Sequence, residues 1–146
     1  MFKAISAFVC LFITLISIAS ADIRQIDEGL LVNAVGDPVL KKAHEEDAPG
    51  CIATRYTFGD EIFAMKLEFK CDRINVAWNG SREPQNVSRS QYAAQLAQRA
   101  VIALTQGSGV EVERVMDGAI YKSRTFANGL SLSGACVMST CLLTFK

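Results

Sequence analysis

The chain has 146 residues, with 15 Lys+Arg against 15 Asp+Glu, 50% hydrophobic residues, five Cys, one Trp and a single His. An apolar half with ordinary charge content excludes a disordered chain, and balanced charge lacks the basic excess that phosphate neutralisation needs, so no nucleic-acid partner is expected. A lone His44 excludes most zinc sites with His ligands and any catalysis built on two imidazoles.

The N-terminus reads as an address. Lys3 supplies a positive charge, Ala4 to Ile18 is a nearly continuous apolar run, and Ala19-Ser20-Ala21 has the small-x-small form of a cleavage site. The pattern predicts a signal peptide over residues 1–21 and a single secreted or periplasmic domain over residues 22–146. The run falls short of the roughly 20 residues that span a bilayer, and nothing later is long enough, so no membrane span is expected. Cys10 leaves with the signal. Cys51, Cys71, Cys136 and Cys141 remain, and in an oxidising compartment four thiols read as two disulfides. Three connectivities are possible, and sequence order favours the local one, Cys51 with Cys71 and Cys136 with Cys141.

Asp22 to Val39 fits a short strand and a helical turn equally well. Lys41 to Gly50 is polar and ends in Pro49-Gly50, which predicts a loop. Cys51 to Phe58 is rich in β-branched and aromatic residues, and Gly59-Asp60 signals a turn. In Glu61 to Cys71 the residues Phe63, Met65, Leu67 and Phe69 alternate with Ala64, Lys66, Glu68 and Lys70, so a hairpin is expected. A two-residue turn there would misalign Cys51 and Cys71, so a longer loop or a bulge is required. Asp72 to Asn86, with Trp78, Asn79-Gly80 and Pro84, reads as a loop. Ser88-Arg-Ser-Gln91 matches a capping box and opens a helix over Arg89 to Gln106, whose stripe of Tyr92, Ala93, Leu96, Ala97, Ala100, Ala103 and Leu104 is expected to pack on the core, with a subunit interface as the alternative. Val110 to Val115 alternates, Asp117-Gly118 is a turn signal and Ala119 to Arg124 returns, which predicts a second hairpin. Leu130, Leu132 and Val137 to Phe145 supply a last pair of strands joined through the Cys136 to Cys141 loop.

No catalytic constellation stands out, and no metal or cofactor is expected. Glu45-Glu46-Asp47 lacks the ligand spread of a calcium loop. Glu111 and Glu113 would share a strand face as paired carboxylates, although alternation places polar residues there on any half-exposed strand. Gly107-Ser108-Gly109 lacks the Lys of a phosphate loop, and Asn79-Gly-Ser81 and Asn86-Val-Ser88 match the glycosylation sequon.

Taken as an ordered set, the stretch before Cys51-Ile52, Cys71 closing a strand, one helix with Ala100, Gly107 and Val110, then Asn128-x-Leu130, Cys136 and Cys141 resembles the binding subunits of pertussis-like A-plus-five-B toxins, of the subtilase cytotoxin and typhoid toxin type. The resemblance implies a mainly β fold with one α-helix, a five-stranded OB-fold-like barrel. It further implies a non-enzymatic subunit that binds sialylated host glycans, as a homopentamer or in a hetero-oligomer with a catalytic toxin A subunit, its weak sites summed by avidity. The chain departs from the pattern through extra residues at Trp78 to Val87 and through the missing Trp-Thr-Tyr-Pro run. Arg114 falls where the family's sugar-packing aromatic stands, and Asn33 is the polar residue nearest by position to its sialic-acid serine. The resemblance thus places Asn33, Glu113, Arg114 and Tyr121 on the sugar face. Two other classes fit the same residues: a monomeric secreted inhibitor or immunity protein, and a small secreted enzyme drawing on Glu111 or Glu113 with Arg114.

Overall fold

The computed structural model describes residues 22–146; the expected signal peptide lies outside them. After a single 3-10 turn, Asp27 caps helix α1 (Glu28–Val35), its carboxylate accepting from the Leu30 amide at 2.9 Å. Gly36, at φ 69°, ends α1 in the left-handed conformation that glycine adopts without a Cβ clash. The ambiguous Asp22 to Val39 segment is therefore helical.

Four strands then meander: β1 (Lys41–Ala48), β2 (Cys51–Gly59), β3 (Ala64–Phe69) and β4 (Ile74–Asn79). The expected loop over Lys41 to Gly50 is instead an edge strand, its partners running from Lys41 opposite Thr57 to Ala48 opposite Cys51. Almost all of β1 is exposed on both faces, so no apolar alternation marks it; the backbone ladder alone makes it a strand. The β2–β3 hairpin forms as expected. Gly59 pairs with Ala64, so the loop holds four residues rather than two, and Cys51 and Cys71 come to a Cα separation of 6.0 Å and are bonded. The expected loop over Asp72 to Asn86 is corrected: Ile74, Val76 and Trp78 are buried on β4, in the interior of the sheet.

Helix α2 (Val87–Thr105) follows. Asn86 is its N-cap and Ser88 lies inside its first turn, so the capping-box reading fails although the helix boundaries agree within two residues. The second expected hairpin is also corrected. Val110 to Met116 is helix α3, because Val112 and Val115, three apart, both bury against the molecule. Its N-cap, Gly109 at φ 72°, approaches α2 so closely that a Cβ there would stand 2.7 Å from Gln98 Cγ. Strands β5 (Tyr121–Thr125), β6 (Ser131–Val137) and β7 (Thr140–Phe145) complete the chain, with Cys136 and Cys141 bonded across the β6–β7 hairpin.

All seven strands form one antiparallel sheet in the order β1-β2-β3-β4-β7-β6-β5. The mainly β class and both local disulfides are as expected; the strand count, the three helices and the open sheet replace the five-stranded, one-helix barrel. The physical reason is that β1 and β5 end the sheet as edges, and β1 and β4 add strands where loops were read. Directly opposed residues share a face, so Tyr56, Leu67, Val76 and Leu143 line one row, and Phe58, Met65, Trp78 and Cys141 the next. These rows face α2, whose Ala93, Leu96, Ala97, Ala100 and Val101 are buried against them. The small alanines let the helix sit low on the sheet. Helices α1 and α3 flank α2, and among the described residues the opposite face of the sheet carries no helix.

Candidate binding surface

Glu113 and Arg114 lie exposed on α3, and Tyr121 begins β5. Asn33 is exposed on α1, which docks through the Val35 carbonyl, accepting from Arg99 at 3.1 Å, whereas α3 docks against Gln98 and Ile102. The helix α2 thus stands between Asn33 and the other three. Glu111 and Glu113 are not a carboxylate pair: on a helix they point apart, Glu111 being 2% exposed and Glu113 open to solvent. Glu111 Oε1 instead forms an ion pair with an Arg124 Nη 3.0 Å away. That guanidinium lies 5.2 Å from the Phe126 ring centroid and 5.9 Å from that of Tyr121, so its charge is held by a carboxylate and two rings. This cluster anchors β5 to α3.

The face of the sheet without helices divides in two. Across its β1 to β4 side runs a chain of polar contacts at one register level. Arg55 Nη donates to Glu45 at 2.9 Å and its Nε to Glu68 at 2.6 Å; Asn75 donates to Glu68 at 3.1 Å; the Thr144 hydroxyl donates to Asn75 at 2.9 Å. Burial opposes the Glu68 charge, yet the bonds from Asn75 and Arg55, with the nearby Arg55 and Lys70 charges, hold its carboxyl below the usual range. Beside it, Asp47 takes both Lys70 and Arg73, and its carboxyl is lowered chiefly by the Lys70 hydrogen bond. Glu45, Arg55, Glu68, Asp47, Lys70 and Arg73 are thus paired, whereas Lys41 and Lys66, in the row that continues to Ala77, join no ion pair among the described residues. His44 lies on the edge strand, its ring nitrogen 3.2 Å from the Thr54 hydroxyl.

The β4, β7 and β6 side is of another kind. These three adjacent strands, Ile74–Asn79, Thr140–Phe145 and Ser131–Val137, contain no charged residue. Their outward side chains form a grid of three rows: Asn75, Thr144 and Ser133; Ala77, Leu142 and Ala135; Asn79, Thr140 and Val137. Hydroxyls and amides thus frame a central apolar row. Leu142 is 41% exposed and Val137 72%. Thr140 donates to Asn79 Oδ1 at 3.2 Å, which leaves the Asn79 amide nitrogen without a protein partner among the described residues. The sequon asparagines fall at this grid (Asn79) and at the α2 N-cap (Asn86). Sequence reasoning passed over the grid, although its signal was present: residues 131–145 contain no Asp, Glu, Lys or Arg.

At the grid's end the β6–β7 turn projects Met138, fully exposed at φ 56°. Met138 also helps to line a groove of about 490 Å³, with Gly80, Ser81, Arg82, Met116, Ser139 and the Cys136–Cys141 pair.

Among the described residues no cluster of three or more His, Cys, Asp or Glu side chains is placed to hold a metal, and no helix is long and apolar enough to cross a membrane. Comparison with protein-family models, with curated proteins and with solved structures finds no match to this chain.

Proposed function

We propose that this chain is a non-enzymatic, exported binding protein that recognises a glycan on the uncharged side of its sheet. The observation that carries the reading is the charge-free grid on β4, β7 and β6. A saccharide offers hydroxyls that exchange hydrogen bonds with neutral amides and hydroxyls, and C–H faces that lie on apolar side chains. The Asn79 amide, Thr140, Thr144 and Ser133 around Leu142, Ala77, Ala135 and Val137 supply both kinds of contact. A flat face without a deep cleft binds weakly one site at a time, so useful affinity requires several copies acting together. The two disulfides are compatible with an oxidising, extracytoplasmic compartment. Sialylated ligands, and delivery of a catalytic subunit by a ring of copies, are the finer form that the toxin resemblance gives to the same proposal.

A glycan array with sialylated and neutral arms tests it. The wild-type chain, displayed multivalently, is expected to bind, and Leu142→Asp and Asn79→Ala to lose the signal with the fold intact by circular dichroism. Binding that survives both substitutions but is lost in Arg114→Ala would move the site to α3. No binding on either arm would favour the monomeric protein-binding alternative.

A further inference from the structure

The central row of the grid continues beyond it. From Leu142 and Ala77 it runs through Lys66 and Thr57 to Lys41, one residue per strand. Resting on the glycan reading above, we propose that Lys66 and Lys41 hold a tetrahedral oxyanion, a sulfate or phosphate ester carried by the saccharide that the grid binds. Both lysines line one cavity of about 420 Å³, together with Arg55, Thr57, Glu61 and Ala64. Lys66 stands one strand spacing, about 4.8 Å, beyond Ala77, so a sugar lying along the row reaches the cavity without turning.

A lysine on an edge strand discourages pairing with another sheet, which accounts for Lys41. It does not account for Lys66, because β3 is paired on both sides, with β2 and β4. Lys66 is the one charged residue of β2, β3 and β4 outside an ion pair among the described residues. The two lysines flank Thr57 with no carboxylate between them in the row, so like charges stand on either side of a hydroxyl. The neighbouring row does not neutralise them: Glu45 and Glu68 are engaged by Arg55, and Glu68 by Asn75 as well. Glu61, in the loop between β2 and β3, is the carboxylate that opposes an anion here, and it joins no ion pair among the described residues.

The donors select the kind of anion. Arg55 already donates through Nε and one Nη, so neither edge of its guanidinium is complete for the bidentate clamp that suits a carboxylate. What remains are two ammonium point charges on β1 and β3, and between them on β2 the other Arg55 Nη and the Thr57 hydroxyl. A sulfate or phosphate ester offers three terminal oxygens to these donors, whereas a carboxylate offers two.

A glycan array of matched sets is the test, each neutral saccharide printed beside its sulfate ester, its phosphate ester and its sialylated form. The multivalently displayed wild-type chain is expected to bind an ester roughly tenfold more tightly than the neutral parent, and the stronger of the two ester arms names the source of the oxyanion. Both lysines are exposed, so Lys66→Gln and Lys41→Gln fold as wild type does, and each should bring the ester most of the way down to its parent. Glu61→Gln should raise the excess roughly twofold, and about 1 M salt should remove it. Esters that bind no better than their neutral parents would overturn the inference and leave the grid reading standing. An ester excess that survives both lysine substitutions, or a sialylated arm with the same lysine-dependent excess, would also overturn it. No binding on any arm would overturn the grid reading and this inference together.

Discussion

The charged side of the outer sheet face and the uncharged side solve the same problem in opposite ways. Both lie over one apolar core, and both expose a β-surface that no helix covers among the described residues. On β1 to β3 the residues Glu45, Arg55, Glu68, Asp47 and Lys70 are tied to one another or to Arg73 and Asn75, so their hydrogen-bonding capacity is largely spent inside the molecule. On β4, β7 and β6 the side chains are small and neutral, and Leu142 and Val137 stay open to solvent. A satisfied charge network resists displacement by a ligand, whereas a neutral face can be desolvated cheaply. The difference places recognition on the second side and edge protection on the first, where the charged β1 discourages pairing with another sheet.

The largest effect is expected beneath the comparison. Trp78→Ala removes the largest fully buried side chain shared by the two sides and should cost about 3–5 kcal/mol, read as a fall in the denaturant midpoint. The disulfides come next and separate the sides. Cys51 and Cys71 are 20 residues apart and Cys136 and Cys141 only 5, so replacing the first pair by alanines should cost about 3 kcal/mol and the second about 2 by loop-closure entropy.

Within the charged network, Glu68→Ala strands Arg55 and Asn75 and should cost about 1–3 kcal/mol, measured by chemical denaturation. Its pH dependence has a definite sign. The folded carboxyls of Glu68 and Asp47 lie below their unfolded values, so the stability they contribute is present above the unfolded carboxylate pKa and is lost as pH falls through the depressed folded values. Stability should therefore decline below about pH 4.5, and Glu68→Gln should flatten that decline. The smallest stability effect belongs to the uncharged side: Leu142→Asp should stay within about 0.5 kcal/mol of wild type while abolishing glycan binding. A large loss of stability there would show that Leu142 is a packing residue rather than a contact.

The sequence made the β2–β3 alternation, the α2 stripe and the local pairing of cysteines legible, because each follows from a period or a spacing. It concealed β1, since an edge strand wet on both faces has no apolar period. Strand β4 was readable through Ile74, Val76 and Trp78, but Asn79-Gly80 and Pro84 just beyond it suggested a loop. In α3 a six-residue alternation served a helix equally well, and the deciding residue was Glu111, whose burial depends on Arg124, thirteen positions away. The grid was hidden for a related reason: it joins side chains from three strands, one of which lies more than fifty residues before the other two.

Whether the ligand sits on the neutral half of the sheet is read by amide chemical-shift mapping during titration with neutral and sialylated oligosaccharides. Perturbations are expected at Asn75, Ala77, Asn79, Ser133, Ala135, Thr140, Leu142 and Thr144, with β1 and α1 unmoved. Shifts centred on Asn33, or on Glu113, Arg114 and Tyr121, would contradict it, as would a spectrum that no saccharide changes.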